Sequence, residues 1–87
     1  MGKRFVFFYF MKKEPEKIKA AVPLHIEYWH KLKLSKYLGG PFADRSGGMI
    51  TFESASIDEA KSIIMNDPFV IHELLESKWT KEWVVDL

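Results

Sequence analysis

The 87-residue chain contains 13 basic and 12 acidic residues, a formal charge of +1, and no cysteine. The charge balance argues against a nucleic-acid-binding protein, which needs a basic face. The lack of cysteine excludes disulfides, thiolate catalysis and cysteine-based zinc sites. Hydrophobic residues make up 47% of the chain, so we expect residues 1–87 to form a single domain with apolar surface left for a partner. The simplest such partner is a second copy in a homodimer.

No membrane segment is evident. The longest apolar run, residues 5–11, is far shorter than the roughly 20 residues that span a bilayer. The chain starts with Met-Gly-Lys-Arg, as a signal peptide could, but Lys12 and Lys13 follow the apolar run where a small-residue cleavage site would stand. We therefore expect a cytoplasmic protein with no membrane partner.

The first predicted strand, Arg4 to Met11, is apolar on both faces. Its odd positions, beginning with Phe5, face one side, and its even positions, beginning with Val6, face the other. A strand of this kind is covered on both sides. Helices of the same small domain can cover one side, so the second side is another indication of a dimer.

The first long helix is predicted from Pro23 to about Lys36. Proline suits the first helical position, where its missing N–H costs nothing. The preceding segment, Lys12 to Ala21, is charged and contains Pro15, which favours a loop with a short helical turn. Two neighbouring stripes follow from helical spacing, one with Leu24, Tyr28 and Leu32 and one with His25, Trp29 and Leu32.

Two strands are predicted next, separated by a turn at residues 44–48. Residues 37–42 form an edge strand, because two glycines and Pro41 are poor interior strand residues. Gly48 to Glu53 forms the third strand. The glycine pairs at 39–40 and 47–48 do not form a phosphate-binding loop, and turn geometry is the expected reason for them.

The second helix begins at Ser56, which with Glu59 forms a capping box. It must end near Asn66, since a residue before proline is pushed out of the helical region, and a short helical turn follows Pro68. Residues 77–87 form the last strand, with Trp79, Trp83, Val85 and Leu87 on one face. The order of elements predicts an α+β, ferredoxin-like split β-α-β fold (βαββαβ) with helices on one side of the sheet.

Four short motifs carry a resemblance to a known family. They are H-x-x-Y at residues 25–28, G-G-P-F at 39–42, S-x-D-E-A at 56–60 and N-D-P-F at 66–69. In this order and spacing the sequence resembles the YCII-related domain (YciI-like) family. The resemblance implies a ferredoxin-like fold that dimerises into an α+β barrel, related to muconolactone-isomerase-like enzymes. It also implies an active-site pair at His25 and Asp67. The segment between His25 and Pro41 is slightly short for the family and residues 12–23 are unusual, so the substrate class is not implied.

A histidine–aspartate pair suits acid–base chemistry. Imidazole takes and returns a proton near neutral pH, and a carboxylate that accepts its N–H orients the ring and stabilises the imidazolium. Each residue also has a structural explanation. Asp67 before Pro68 is a good N-cap for a short helix, and His25 could be a half-buried histidine bonded to a carbonyl.

Other candidates have weaker signals. His30 lies about 140° round the helix from His25, so the two cannot chelate one metal from one face, and His72 is expected at the surface. Arg45 could hold an anionic substrate group or be a solvated turn residue. We expect no metal and no cofactor.

The sequence thus supports two functional hypotheses. The first is a cofactor-independent enzyme of isomerase or lyase type acting on a small, partly apolar molecule, with His25 as general base or acid and Asp67 orienting it. Tyr28, Phe42 and Phe69 would shape the pocket. The alternative is a non-catalytic ligand-binding or accessory dimeric module, and a haem-binding relative of the same barrel is a more distant one.

Overall fold

The computed structural model describes residues 2–86, which form a four-stranded sheet and three helices. In chain order the elements are β1 (Lys3–Met11), α1 (Pro15–Leu32), β2 (Leu38–Pro41), β3 (Gly47–Ser54), α2 (Ile57–Met65), α3 (Pro68–Ile71) and β4 (Leu75–Glu82). The strands lie in the order β2-β3-β1-β4, and all neighbours are antiparallel. This is the predicted ferredoxin-like α+β fold, which is confirmed.

The core lies between the helices and one face of the sheet. The inward side chains of β1 are Phe5, Phe7 and Tyr9, which are 0%, 0% and 4% exposed. In the register of the sheet Phe7 pairs with Ile50 of β3, and Trp29 of α1 stacks on Phe7 with 6.2 Å between ring centroids. The central strand therefore anchors the elements that carry the candidate site.

The predicted start of the first helix is wrong. The helix begins at Pro15, where proline fits the first turn, and continues through Pro23 to Leu32. Lys33 then adopts a left-handed conformation, with φ 49°, and its N–H bonds to the carbonyl of His30 at 3.3 Å. The helix therefore ends before Lys36. Buried contacts on the face that bears Ala21 stabilise the additional turns, although Pro23 removes one helical hydrogen bond.

The predicted edge position of β2 is confirmed, but turn geometry does not explain the glycine pairs. They lie in β2 and β3, and no glycine among residues 2–86 has positive φ. A Cβ at Gly39 would lie 2.8 Å from Tyr37 Oη, and one at Gly48 would lie 2.6 Å from Tyr9 Oη. These glycines make room for the two phenol groups.

The second half of the fold follows the predicted order. Ser56 Oγ accepts the Glu59 N–H at 3.1 Å at the start of α2, and α2 ends at Met65 before the Asp-Pro step. β4 spans Leu75–Glu82 and so ends earlier than predicted, although the Trp83 N–H still bonds to the Arg4 carbonyl at 2.8 Å. Leu87 lies outside the described residues.

Within residues 2–86, the outer face of the sheet bears no helix and carries several large apolar side chains. Trp79 stacks on Phe8 with ring centroids 5.1 Å apart, and Phe10 packs between Trp79 and Phe42. Three aromatic side chains on this face keep about two fifths of their surface exposed: Phe10, Trp79 and Trp83. In the part of the chain that the structure describes, no helix is long and apolar enough to cross a membrane.

Candidate active site

Asp67 lies at the junction between α2 and α3. Its N–H bonds to the Ile64 carbonyl at 3.0 Å, and its extended backbone (φ −64°, ψ 130°) starts α3 one residue later. The side chain is completely buried, and its Oδ1 accepts the Phe69 N–H at 2.8 Å. Asp67 is therefore an N-cap, as one of the two readings of the sequence predicted.

The same carboxylate also binds two side chains of α1. His25 Nδ1 lies 2.8 Å from Asp67 Oδ1, and Trp29 Nε1 donates to Asp67 Oδ2 at 2.9 Å. His25 and Trp29 are four residues apart, so they share one face of the helix. The carboxylate thus receives three donors, and the capping role and the contact with His25 exist together.

The bond to Asp67 defines which ring nitrogen of His25 is free to accept a proton. When His25 is neutral, a bond to an ionised carboxylate, which can only accept, places the imidazole proton on Nδ1 and leaves the lone pair on Nε2. No residue between 2 and 86 forms a hydrogen bond with Nε2. The His25 ring stacks on Phe69 with centroids 4.0 Å apart and meets the edge of Tyr9 at 6.1 Å. The imidazole is therefore oriented by one polar and two aromatic contacts.

His25 and Phe69 line a cleft of about 400 Å³ between α1, α3 and the β2–β3 end of the sheet. This cleft is called the histidine cleft below. Its wall is mostly apolar and aromatic. The lining residues are Tyr9, Val22, His25, Ile26, His30, Tyr37, Gly39, Gly40, Pro41, Arg45, Ile50 and Phe69. Such a volume accommodates a small organic molecule.

The predicted pocket residues separate into two groups. Phe69 lines the histidine cleft, as expected for a pocket residue. Tyr28 does not line it, because its Oη donates to the Ile63 carbonyl at 2.6 Å. Phe42 packs against Phe10 on the outer face of the sheet, with centroids 5.7 Å apart. Both side chains are directed away from the cleft by contacts with residues distant in sequence.

Two tyrosines in the cleft wall were not identified from the sequence as site residues. Tyr9 is one of the odd positions that share the face of Phe5 in the first predicted strand, and Tyr37 begins the second predicted strand. Burial raises the pKa of Tyr9 strongly, and the negative charge of Asp67 raises it further. The same two causes raise the pKa of Tyr37. Both phenols therefore stay neutral at physiological pH.

The remaining histidines occupy different places. His30 lines the histidine cleft and meets the edge of Tyr37 at 6.0 Å. His72 is exposed at the end of α3, beside Lys17 and Leu24 in a separate depression. Within residues 2–86, no group of three or more histidine, aspartate or glutamate residues is arranged to hold a metal ion.

A sequence model of the YCII-related domain matches residues 4–84, nearly the whole chain. The chain belongs to the YCII-related domain family. No curated protein sequence matches this YCII-related chain significantly. Its fold is similar to that of 5-chloro-2-hydroxyhydroquinone dehydrochlorinase (TftG) from Burkholderia phenoliruptrix, solved in complex with 2,5-dihydroxybenzoquinone. The two structures superpose with a TM-score of 0.78 over 93% of each chain, at 23% sequence identity.

Proposed function

We propose that this YCII-related protein is a cofactor-independent enzyme that uses His25 as a general acid–base group on a small cyclic substrate. The observation that carries the proposal is the 2.8 Å contact between His25 Nδ1 and the buried carboxylate of Asp67. It leaves Nε2 as the proton acceptor on a residue that lines the cleft. The reaction type is isomerisation or elimination, which needs neither a nucleophile nor a metal.

In the proposed reaction, Nε2 of His25 removes a proton from a carbon next to a carbonyl, or from a hydroxyl group on the ring. The resulting imidazolium is stabilised by the charge of Asp67, to which Nδ1–H still donates. The electron pair left on the substrate moves onto the carbonyl oxygen. The neutral phenols of Tyr9 and Tyr37 are suited to donate hydrogen bonds to that oxygen. In isomerisation, His25 then returns the proton at another atom of the substrate. In elimination, the electron pair moves back from that oxygen and expels the leaving group as an anion, and His25 passes its proton to water.

The shape of the cleft and the fold neighbour support a ring-shaped substrate. The stacked pair of His25 and Phe69 forms a flat aromatic wall, and flat rings pack well against such walls. The structural neighbour is a dehydrochlorinase solved with a dihydroxybenzoquinone. Hydroxylated quinones and hydroquinones are therefore the first compounds to test on this protein.

Turnover of a panel of such compounds tests the proposal. His25→Ala should lower kcat by about 10²–10⁴-fold, the usual contribution of a general acid–base group. His72→Ala is the matched control, because that histidine is exposed outside the histidine cleft, and it should keep wild-type turnover. Undiminished turnover in His25→Ala would contradict the proposal. Binding without turnover, unchanged by His25→Ala, would instead indicate a ligand-binding module.

The protonation pattern of His25 provides a second test that needs no substrate. Nitrogen NMR of the imidazoles should show that neutral His25 carries its proton on Nδ1, because Asp67 can only accept. Asp67→Leu should remove this preference. A His25 proton on Nε2 in the wild type would show that the geometry described above is not the resting state in solution.

The proposed enzyme is a homodimer, with a second copy covering the outer face of the sheet. The exposed aromatic side chains of Phe10, Trp79 and Trp83 support this arrangement, because a cluster of large apolar side chains at the surface marks an interface. The barrel of related proteins, which the sequence resemblance implies, is formed in the same way.

A further inference from the structure

The histidine cleft has an uneven charge. Arg45 is the one residue in its lining with a permanent charge, and no carboxylate lines it among residues 2–86. Asp67 lies behind His25, fully buried, with its oxygens occupied by three donors. The cleft therefore presents a cation at one wall and no competing exposed anion.

Arg45 is available to a ligand. Within residues 2–86 its guanidinium forms no salt bridge. The adjacent carboxylate of Asp44 is engaged elsewhere, because its Oδ1 accepts both the N–H of Ser46 at 3.0 Å and the Oγ of Ser46 at 2.6 Å. Arginine is well suited to carboxylates and oxyanions, since its planar group offers two parallel donors.

The backbone of Arg45 is held in a defined place. The Arg45 N–H donates to the Phe42 carbonyl at 2.9 Å, and the Ser46 carbonyl accepts the Met11 N–H of β1 at 2.8 Å. Arg45 itself has φ 66°, in the left-handed region that favours glycine. Arginine therefore occupies a position where glycine would be less strained.

A second group of cations lies on the far side of Arg45. Arg45 also borders an adjacent depression whose charged lining residues are one carboxylate, Glu14, and three lysines, Lys12, Lys13 and Lys19. Their charges add to the positive potential around Arg45, which raises the local concentration of anions.

From this arrangement we propose that Arg45 makes the histidine cleft selective for rings that carry an anionic substituent, a carboxylate or a ring oxyanion. The inference rests on the proposed function in one respect, namely that the ring occupies the cleft beside His25. The ring packs against the aromatic wall, and the anionic group pairs with the guanidinium of Arg45. An uncharged ring of the same shape keeps the packing and loses the ion pair.

Benzoate and benzamide are the probes, because they share a ring and differ in charge. Protein NMR titrations should show that the wild type binds benzoate about tenfold more tightly than benzamide, the usual gain from one charge-assisted bond. Arg45→Gln should reduce the affinity for benzoate to that for benzamide and leave benzamide unchanged. Lys61→Gln removes the same charge from an exposed site on α2 and should leave the preference intact.

Arg45→Gly separates binding from folding. It should lose the preference for benzoate while its thermal stability stays equal to or above that of the wild type, because glycine accepts the left-handed conformation. The proposal is overturned if the wild type shows no preference for benzoate, including the case in which neither probe binds. It is also overturned if the preference survives Arg45→Gln.

Failure of this inference can be told apart from failure of the proposed function. The His25→Ala protein lacks the base but retains Arg45, so it should keep the preference for benzoate. A preference for benzoate in a protein without any turnover would refute the enzymatic role and leave the selectivity of Arg45 standing. Turnover that depends on His25 but is equally fast for uncharged rings would refute the selectivity alone.

Discussion

Replacing Asp67 by asparagine distinguishes a simple helix cap from a buried network. Asparagine and aspartate are equally good N-caps, so a cap alone predicts almost no loss of stability. The carboxylate, however, accepts three donors, from His25 and Phe69 on Oδ1 and from Trp29 on Oδ2. An asparagine amide has one accepting oxygen and one donating nitrogen. In either orientation the amide N–H group therefore faces at least one donor.

The size of the effect follows from burial. Hydrogen bonds to a charged group are worth about 1.5–3 kcal/mol each, and a buried donor left without a partner costs about 1–3 kcal/mol. Asp67 is 0% exposed, so water cannot replace the lost partner. Partial relaxation will recover some of the loss. We expect Asp67→Asn to lower the free energy of unfolding by about 2–4 kcal/mol.

Urea unfolding followed by circular dichroism measures this change, at one fixed protein concentration because a dimer would make stability depend on concentration. Asp58→Asn makes the same chemical change at an exposed site in the first turn of α2 and should cost less than about 1 kcal/mol. A double-mutant cycle between Asp67→Asn and Trp29→Phe should show coupling above about 0.5 kcal/mol. A loss in Asp67→Asn no larger than in Asp58→Asn would refute the network.

Three further predictions concern the glycines in the sheet, the buried Tyr9 and the outer face of the sheet. Gly48→Ala should destabilise the fold by about 1–3 kcal/mol, because the new Cβ would lie 2.6 Å from Tyr9 Oη. A Cβ added at Gly40 would have no heavy atom within 4 Å, so Gly40→Ala should not destabilise the fold. Equal thermal stabilities of the two variants would contradict this prediction. Burial raises the pKa of Tyr9 above its ordinary 10.0, so the free energy of unfolding should fall as the pH rises above that value. The fall should be smaller in Tyr9→Phe. Coincident tyrosinate titrations of the native and the unfolded protein would contradict this prediction. Trp79→Glu should shift the protein towards the monomer, as measured by light scattering. Met65→Glu changes an exposed position on α2 and should leave the mass unchanged. An unchanged mass for Trp79→Glu would refute a dimer formed through the outer face of the sheet.

Local patterns were sufficient to predict most elements. The continuous apolar run from Phe5 onward predicted β1, Ser56 with Glu59 predicted the start of α2, and Pro68 predicted the break that follows it. These signals depend on neighbours within a few positions, so they are readable in the sequence. The start of α1 was misread, because Pro15 and Pro23 both suit a first turn and only packing of the earlier turns decides between them.

The sequence by itself determined the ferredoxin-like order of elements and, through its family resemblance, the pairing of His25 with Asp67. It could not place Tyr28 and Phe42, whose partners Ile63 and Phe10 are about 30 residues away or more in the chain. It also could not show that Trp29 shares the carboxylate of Asp67. Only the tertiary structure decided these points, because the histidine cleft is formed where α1, α3 and three strands meet. Which side chains enter it depends on contacts that no local pattern contains.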